Sequence, residues 1–384
     1  MKKDMLDKIV LFPYYLFLKL RNSLYNSGKL HSQGAAVPTI CVGNITAGGT
    51  GKTPHTEMIL RMLLESYEWG NKNIAVLSRG YMRESKGFQQ VPVNGSALMF
   101  GDEPVQIKKR FPQVTVAVDA DRIEGCDYLC HPEKLQEQRQ GPDSCWDKDF
   151  PPADLIVLDD AYQHRPLKAS MNIVLVDYNR PVFNDSLIPL GTLRDLPERI
   201  YDADIIIITK CPFEMDNWQR TEYASSIGFR DYKVSTCMGT SPAGKKQLIF
   251  FTKIDYGEFV PIYENSNPRY RFAKRLILFS GIAVDTPLHD YLSDKYKIVR
   301  KFSFSDHHKY SWQDFDKIVK AVQYAPTAAV VTTEKDAQRI LDYNSLSQDI
   351  QERMFMVPIS VDFLDSAERE IFRKRLLGVG QTVR

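Results

Sequence analysis

The chain has 384 residues, of which 43% are hydrophobic and 26% are charged. This length exceeds what one hydrophobic core usually organises, and the composition excludes a disordered chain, so we expect two globular domains. Lys and Arg total 50 against 48 Asp and Glu, and the resulting net charge of +2 does not indicate a nucleic-acid-binding protein, so we expect no nucleic-acid partner. Six cysteines without a CxxC pair fit a reducing compartment better than a disulfide scaffold.

The first predicted element is an N-terminal helix at a membrane interface, covering residues 1–25. Residues 9–18 (IVLFPYYLFL) form a nearly unbroken apolar run with Lys8, Lys19 and Arg21 beside it. The run is too short to span a bilayer, and no small-residue cleavage site of a signal peptide follows it. Basic and aromatic residues in this arrangement let a helix lie among lipid headgroups. The alternative is a first helix that docks on the protein's own core.

From Pro38 onward, short apolar runs rich in β-branched residues alternate with longer amphipathic segments. This alternation is typical of parallel strands connected by helices. In the first two thirds of the chain, strands are expected at 39–42, 74–77, 114–118, 155–158, 173–176 and 205–209. After a polar, turn-rich stretch, a second series is expected at 276–279, 298–302 and 328–332.

A glycine-rich turn follows the first of these strands. Residues 39–54 read TICVGNITAGGTGKTP, and a helix is expected from His55. Backbone N–H groups of such a turn surround phosphate oxygens, Lys52 reaches the β- and γ-phosphates of ATP, and the Thr53 hydroxyl can bind Mg²⁺. The strict GxxxxGK[ST] pattern has a glycine where this chain has Thr46, so Gly48 and Gly49 are expected to supply the flexibility. The expected nucleotide-binding residues are Thr46, Ala47, Gly48, Gly49, Thr50, Gly51, Lys52 and Thr53.

These patterns predict an α/β fold, a P-loop NTPase-like α/β/α sandwich with a second, smaller α/β domain. We expect the P-loop domain at residues 26–230 and the smaller domain at residues 235–355. Residues 356–384 form a C-terminal segment that can return to the first domain.

Two acids end the strand predicted at 155–158. Asp159 and Asp160 follow the apolar run LIVL, as expected of a Walker-B element that binds Mg²⁺ directly or through water. The next residues place His164 and Arg165 near the same sheet edge, where ligands of open α/β sheets collect. His164 can equally serve as a structural hydrogen-bonding residue.

A third group of acids lies in the turn GDEP at 101–104. In a phosphotransferase that acts on a hydroxyl group, Asp102 is a candidate to accept or orient the hydroxyl proton. The alternative is that Asp102 caps the helix that follows. In the second domain, FSDHHKY at 304–310 contains His307 and His308, and a histidine titrates near neutral pH and can tune a neighbouring carboxylate.

Taken together, these residues resemble one family, the tetraacyldisaccharide 4'-kinases of Gram-negative bacteria. The likeness covers nearly the whole chain and includes DDAYQHR at 159–165, where the family usually reads DDGFQHR. The other matching segments are VGNITAGGTGKTP at 42–54, SRGY at 78–81, GDEP at 101–104, LIPLGTLRD at 187–195, ITK at 208–210, SGIA at 280–283, FSDHHKY at 304–310 and TTEKD at 332–336.

The resemblance implies transfer of the terminal phosphoryl group of ATP to the 4'-hydroxyl of a tetraacylated glucosamine disaccharide 1-phosphate, with Mg²⁺ as cofactor. It implies catalytic roles for Asp102, His307 and Lys52, with His308 as the less favoured histidine. Closing the cleft between the domains would bring Asp102 and His307 together.

Other roles follow from the same resemblance. The implied metal ligands are Thr53, Asp159 and Asp160. Arg79 and Arg194 are candidates to neutralise phosphate charge. The expected location is the cytoplasmic face of the inner membrane, with peripheral or N-terminal anchoring, and we expect a monomer.

A different class of protein shares the central motifs. A P-loop NTPase switch or a metallochaperone also has the P-loop and the acidic strand end. Such a protein needs neither an acyl-chain anchor nor a second-domain histidine near Asp102.

Overall fold

The computed structural model describes residues 10–136, 151–306, 308–341, 343 and 346–380. The strands of these residues form two sheets, one large and one small, with helices packed on them. This arrangement confirms the predicted α/β fold class with its P-loop sandwich. Among the described residues, no helix combines the length and the apolar character that crossing a membrane requires.

The large sheet is built from strands on both sides of the glycine-rich turn. Its strands are β1 (Thr39–Asn44), β2 (Ile74–Ser78), β3 (Gln89–Gln90), β4 (Thr115–Val118), β5 (Leu155–Asp159), β6 (Met171–Asp177), β7 (Ile205–Thr209), β8 (Arg230–Lys233), β9 (Met238–Thr240), β10 (Lys246–Tyr256) and β16 (Ile359–Phe363). Their order is β3-β4-β2-β5-β1-β6-β7-β10-β9-β8, and β16 also pairs with β10. The strands from β4 to β10 in this order are parallel. The strand before the glycine-rich turn therefore lies in the middle of the sheet.

Alternate residues of the central strands enter two cores on opposite faces of the large sheet. In β1, Ile40 and Val42 pack on one face and Cys41 packs on the other. In β5, Val157 and Leu158 likewise point to opposite faces. Because helices cover both faces, these strands are apolar at nearly every position, which made them visible in the sequence.

The helices connect the parallel strands and cover the sheets. They are Phe12–Asn26, Lys52–Leu64, Ala97–Phe100, Asp102–Arg110, Arg122–Cys130, Glu133–Gln136, Asn217–Ser226, Thr286–Ser293, Trp312–Tyr324, Glu334–Leu341, Gln348–Gln351 and Ser366–Leu377. Short 3₁₀ helices occupy Val182–Asn184, Pro197–Asp202, Val234–Thr236 and Pro268–Phe272.

The small sheet forms a second unit with its own two cores. Its strands are β11 (Val260–Pro261), β12 (Arg275–Ser280), β13 (Lys297–Ser303), β14 (Ala329–Thr333) and β15 (Met354–Val357), in the order β11-β15-β14-β12-β13. In β12, Leu276 and Leu278 enter one core, whereas Ile277 and Phe279 enter the other. Every strand predicted from the sequence is present, with ends that differ by at most two residues.

Two neighbouring strands of the large sheet connect it to the second unit. β10 leads into that unit and β16 returns from it, and the two pair antiparallel from Thr252↔Phe363 to Tyr256↔Ile359. The Gly257 N–H donates to the Pro358 carbonyl at 2.8 Å, just beyond the last pair. The second unit is therefore inserted between two paired strands. The large sheet also extends beyond residue 230, where the sequence analysis ended the first domain.

The N-terminal helix Phe12–Asn26 docks on the large unit by one face. Leu18 and Asn22 are buried, and Asn22 Nδ2 donates to Asp195 Oδ1 at 2.8 Å. Arg21 donates to the Gln163 carbonyl at 2.9 Å. The opposite face is apolar and exposed. The helix therefore docks on the protein's own core, as the alternative interpretation expected, and it exposes apolar residues on its other face.

Candidate active site

The glycine-rich turn lies between β1 and the helix Lys52–Leu64. Gly48 and Gly51 adopt φ values of 87° and 88°, a left-handed conformation that glycine accommodates without strain. Gly49 is not in this conformation, so of the two glycines expected to replace the missing motif glycine, only Gly48 has this geometry. Gly51 caps the helix, so the free N–H groups of the first helical turn lie beside the turn.

Contacts from three other segments hold this turn in place. Asn44 Nδ2 donates to Thr50 Oγ1 at 2.7 Å, and Thr209 Oγ1 of β7 donates to the Thr50 carbonyl at 3.0 Å. The Ala47 N–H donates to the Thr192 carbonyl at 2.6 Å. Thr46 forms a β-bridge with Leu193 and needs no left-handed backbone, which explains why a threonine is tolerated there. The turn is thus fixed by the fold itself.

The acids that end β5 lie beside this turn. Lys52 Nζ is 3.6 Å from Asp160 Oδ2, and Arg194 donates to both Asp160 oxygens at 3.1 and 2.9 Å. Burial raises the pKa of Asp160, but Lys52 and the Arg194 guanidinium outweigh it and hold that pKa below its usual value. Asp160 is therefore a carboxylate at neutral pH. The structure brings together Lys52, Asp160 and Arg194, which the sequence analysis named in separate roles.

Asp159 is fully buried behind Asp160. Its oxygens accept from Thr56 Oγ1 at 3.4 Å and from Ser78 Oγ at 3.3 Å. Burial raises the pKa of Asp159 to about 7, with Glu103 and Asp160 adding to the effect and Lys52 opposing it. A nearby cation would favour the charged form of this carboxyl group.

The oxygen donors here fit a magnesium ion. Thr53 Oγ1 is buried and has no hydrogen-bond partner among the described residues, although most buried hydroxyls are bonded. It lies at the start of the helix that follows the turn, and Asp159 and Asp160 lie at the end of the neighbouring strand β5. Within the described chain, no three His, Cys, Asp or Glu side chains converge as a metal cage. A small set of protein oxygens suits Mg²⁺ that is shared with phosphate groups.

Asp102 begins the helix Asp102–Arg110 and faces the second unit. Its Oδ1 accepts from the Glu103 N–H at 3.0 Å, but the N-cap of this helix is Gly101, so Asp102 is not the capping residue that the alternative interpretation expected. Its Oδ2 accepts from Arg339 Nε at 3.1 Å, across the boundary between the two units. The neighbouring Glu103 lines the central cavity and forms an ion pair with Lys335 of the second unit. Sequence reasoning left Lys335 unassigned and did not consider Arg339.

Of the two histidines of FSDHHKY, His308 is among the described residues and His307 lies outside them. His308 Nε2 is 3.0 Å from Asp314 Oδ2, and its ring stacks on Phe304 with a centroid distance of 4.6 Å. Burial raises the pKa of Asp314, but hydrogen bonds from His308 and Ser311 outweigh it and hold that pKa at about 2. His308 is therefore held by the start of the helix Trp312–Tyr324.

A cavity of about 960 Å³ lies between the two units above the glycine-rich turn. Its basic side chains are Lys52, Arg79, Arg122, Arg194, Lys210 and Lys335. An apolar wall is formed by Ile254, Tyr256, Ile282, Val284, Leu288, Val357 and Ile359. His164 also lines the cavity, and burial lowers its pKa, so it is mainly neutral at pH 7. The cavity can take a ligand with a polyanionic part and an apolar part.

The chain matches a known protein family over nearly its whole length. The family model described as tetraacyldisaccharide-1-P 4'-kinase matches residues 7–377. A tetraacyldisaccharide 4'-kinase of Phocaeicola vulgatus is 34% identical over 363 residues, covering 93% of this chain and 90% of the relative. One of Porphyromonas gingivalis is 36% identical over 374 residues, covering 96% of this chain and 95% of the relative.

A solved structure has the same fold. The crystal structure of LpxK from Aquifex aeolicus in complex with ATP superposes with a TM-score of 0.66 at 24% identity, covering 98% of this chain and 99% of that chain. Because the family model matches residues 7–377 and both relatives carry the same name at 34% and 36% identity over 93% and 96% of this chain, the chain belongs to the tetraacyldisaccharide 4'-kinase family.

Proposed function

We propose that this protein is a tetraacyldisaccharide 4'-kinase of lipid A biosynthesis, which transfers the terminal phosphoryl group of ATP to the 4'-hydroxyl of a tetraacylated glucosamine disaccharide 1-phosphate. Family membership supports the activity and the substrate class. The observation that carries the proposal is the meeting of Lys52, Asp160 and Arg194 beneath a cavity lined by both units. The family membership favours a kinase over an NTPase switch or a metallochaperone.

The glycine-rich turn is the proposed triphosphate site. The N–H groups of the turn and of the helix Lys52–Leu64 can donate to phosphate oxygens, with Lys52 at the β- and γ-phosphates. The apolar wall with Ile254, Ile282 and Val284 suits an adenine ring, because a planar base gains from burial against aliphatic side chains. In this arrangement the residues from Thr46 to Thr53 bind the nucleotide.

Thr53, Asp159 and Asp160 are the proposed magnesium ligands, directly or through water. When bound, Mg²⁺ neutralises negative charge on the phosphate groups. Thr53 contributes its unbonded hydroxyl, and Asp160 contributes a carboxylate that is already ionised. Arg194, which holds Asp160, lies where it can also donate to a phosphate oxygen.

Asp102 is the proposed acceptor of the hydroxyl proton, and His307 is proposed to assist it. A carboxylate that orients the hydroxyl group contributes by alignment, since phosphoryl transfer depends mainly on positioning and charge stabilisation. Asp102 is 7% exposed and is bound from the second unit, so its position depends on both units.

A membrane surface is the proposed place of action. The outer face of the helix Phe12–Asn26 exposes Phe17 by 59% and Leu20 by 54%, and Phe12, Leu16 and Leu24 are also exposed. Tyr14 of this helix donates to the Arg194 carbonyl at 3.4 Å, so the helix lies at the edge of the proposed site. Insertion of this face among the lipids of the inner membrane would present an acylated sugar to the cavity.

The test uses the full-length protein with labelled ATP, Mg²⁺ and the disaccharide 1-phosphate in mixed micelles, followed by chromatography of the lipids. We expect label on the lipid. Asp102→Asn should lower the rate by about 10²- to 10⁴-fold while leaving ATP binding intact. Consumption of ATP without labelled lipid would contradict the proposal.

The matched control for Asp102→Asn is Asp216→Asn. Asp216 caps the helix Asn217–Ser226 through its side chain and lies away from the cavity. Asn caps a helix about as well as Asp, so Asp216→Asn preserves its cap, and both substitutions remove one negative charge at a helix N-terminus. Equal and small effects of the two substitutions would mean that Asp102 has no part in the reaction.

A further inference from the structure

We infer that Arg339 is a positioning residue for Asp102, so that the second unit fixes the orientation of the proton acceptor in the first. This inference rests on the proposed function and names a residue outside the predicted catalytic set. Arg339 lies in the helix Glu334–Leu341 and is the last residue of the segment TTEKDAQR at 332–339.

The contact between the two side chains is two-pronged and desolvated. Arg339 Nε and one terminal nitrogen donate to Asp102 Oδ2 at 3.1 and 2.5 Å. The side chains of Arg339 and Asp102 are 10% and 8% exposed. A buried, charge-assisted pair of this kind fixes geometry, because the planar guanidinium group donates along fixed directions.

Arg339 is itself held by the second unit. Its other terminal nitrogen donates to the Gly281 carbonyl at 2.7 Å and to Asp336 Oδ1 at 2.9 Å. Asp336 is fully buried, and its Oδ2 accepts from the Gly281 N–H at 2.9 Å and from Thr333 Oγ1 at 2.7 Å. The guanidinium group therefore cannot turn away from Asp102 without breaking this set of bonds.

A helix cap alone does not explain this arrangement. The N-cap of the helix Asp102–Arg110 is Gly101, and no side chain caps this helix, so Asp102 does not serve as its cap. Burying a charged pair costs desolvation free energy, and the contact places the carboxylate in one rotamer beside the cavity residue Glu103. Loss of Arg339 would remove two donors from the buried Asp102, which could then rotate or take up a proton.

The neighbouring contacts between the units have different partners. Lys335 pairs with Glu103, and Arg110 lies 3.6 Å from Glu334. These pairs hold the same two helices together, so removal of Arg339 alone leaves the helices bridged. An effect of the Arg339 substitution on the reaction can thus be distinguished from loss of contact between the two units.

The experiment compares Arg339→Gln and Arg339→Lys in steady-state assays of lipid phosphorylation with the full-length protein at saturating ATP and lipid. Arg339→Gln should lower kcat by about 10²-fold with unchanged ATP affinity, because misalignment of a reacting group acts on turnover. Arg339→Lys should recover part of that loss, since lysine retains the charge but not the two-pronged geometry. In the Asp102→Asn background, Arg339→Gln should add little further loss.

Arg353→Gln is the matched structural control. Arg353 is also a buried arginine of the second unit, and it bonds to Asp349 and to the Pro326 carbonyl, away from the cavity. This variant should lower Tm without lowering kcat of the folded protein. Additive losses in the double variant, or an Arg339→Gln enzyme with normal kcat, would overturn the inference.

The outcomes separate the inference from the proposed function. If wild-type protein does not label the lipid, the proposed function fails. If wild-type protein is active and Asp102→Asn is not, but both Arg339 variants turn over normally, only the inference fails. If Arg339→Gln does not fold, Arg339→Lys decides, and full activity in that variant overturns the inference.

Discussion

The hydroxyl group of Thr53 illustrates how one side chain can be kept for a ligand. It is buried and has no hydrogen-bond partner among the described residues, a state that costs free energy in the free protein. The helix start holds it next to the strand end that contains Asp159 and Asp160. A bound cation would give this hydroxyl oxygen the partner that the protein does not provide.

Thr53→Val tests this at the residue scale. Valine matches threonine in shape, so loss of an unbonded hydroxyl should leave Tm unchanged or raise it. The free energy of unfolding should rise by up to about 1 kcal/mol. Turnover should fall and should require more Mg²⁺. A magnesium titration of lipid phosphorylation and a thermal melt measure the two effects.

Thr39→Val provides the comparison. Thr39 is also buried, but its Oγ1 accepts from the Ser170 N–H at 3.0 Å. We expect a lower Tm with an unchanged magnesium requirement. The prediction for Thr53 fails if its variant behaves in the same way.

Residues near the turn were predictable because the chemistry is local in sequence. Lys52 and Thr53 belong to one short motif, and a strand ending in two acids is recognisable when a P-loop precedes it. Arg339 was not predictable, because it meets Asp102 across 237 positions of the chain and through a contact between two units. No spacing or periodicity indicates such a pair.

At the scale of elements, the N-terminal helix is anchored on one face and apolar on the other. Deleting it would remove the buried Leu18 and Asn22 from the large unit, so loss of membrane binding and damage to the fold would be confounded. Substitutions on the outer face avoid this problem.

Phe17→Glu with Leu20→Glu should abolish sedimentation with anionic vesicles and leave Tm unchanged. Both side chains are mostly exposed, so their replacement removes little packing, whereas charges placed among lipid chains are strongly disfavoured. Phe272→Glu is the control, because Phe272 is 78% exposed on the second unit. If the doubly substituted protein still binds vesicles fully, this helix is not the membrane contact.

The sequence indicated the strands with continuous apolar runs and did not indicate β10 as part of the first sheet. β10 (Lys246–Tyr256) mixes polar and apolar residues after a turn-rich stretch. It pairs parallel with β7 and antiparallel with β16, which follows the second unit in the chain. Local patterns reveal strands but not partners that are distant in sequence.

For the whole molecule, insertion of one unit between two paired strands predicts that the units are separable. Replacing residues 257–358 by Asn-Gly would join Tyr256 to Ile359, which are already antiparallel partners, through a turn suited to a two-residue hairpin. The replacement also removes the ion pairs that join Asp102 and Glu103 to the second unit. Ionic partners of this kind can be exchanged for water at the surface that the large unit would then expose.

We expect the shortened chain to melt cooperatively and to transfer no phosphate. Its far-UV circular dichroism and its melt report the large sheet, and labelled ATP in the micelle assay reports transfer. ATP binding should weaken, since Ile282 and Val284 of the apolar wall are removed. A chain without a cooperative melt would show that the large unit needs the second one to fold.

Because β10 and β16 lie on either side of the second unit in the chain, β10 is synthesised long before its partner strand. On the ribosome, β10 emerges before the whole second unit. In the folded protein the ring of Phe250 packs against the rings of Phe363 and Phe372, with centroid distances of 5.8 and 5.3 Å, and both of these partners are synthesised after the second unit. Until β16 and the C-terminal helix have been synthesised, the growing polypeptide exposes the apolar residues of β10, such as Phe250, to other nascent chains. Chaperone contact during translation should therefore concentrate on this strand, well after the glycine-rich turn has left the exit tunnel.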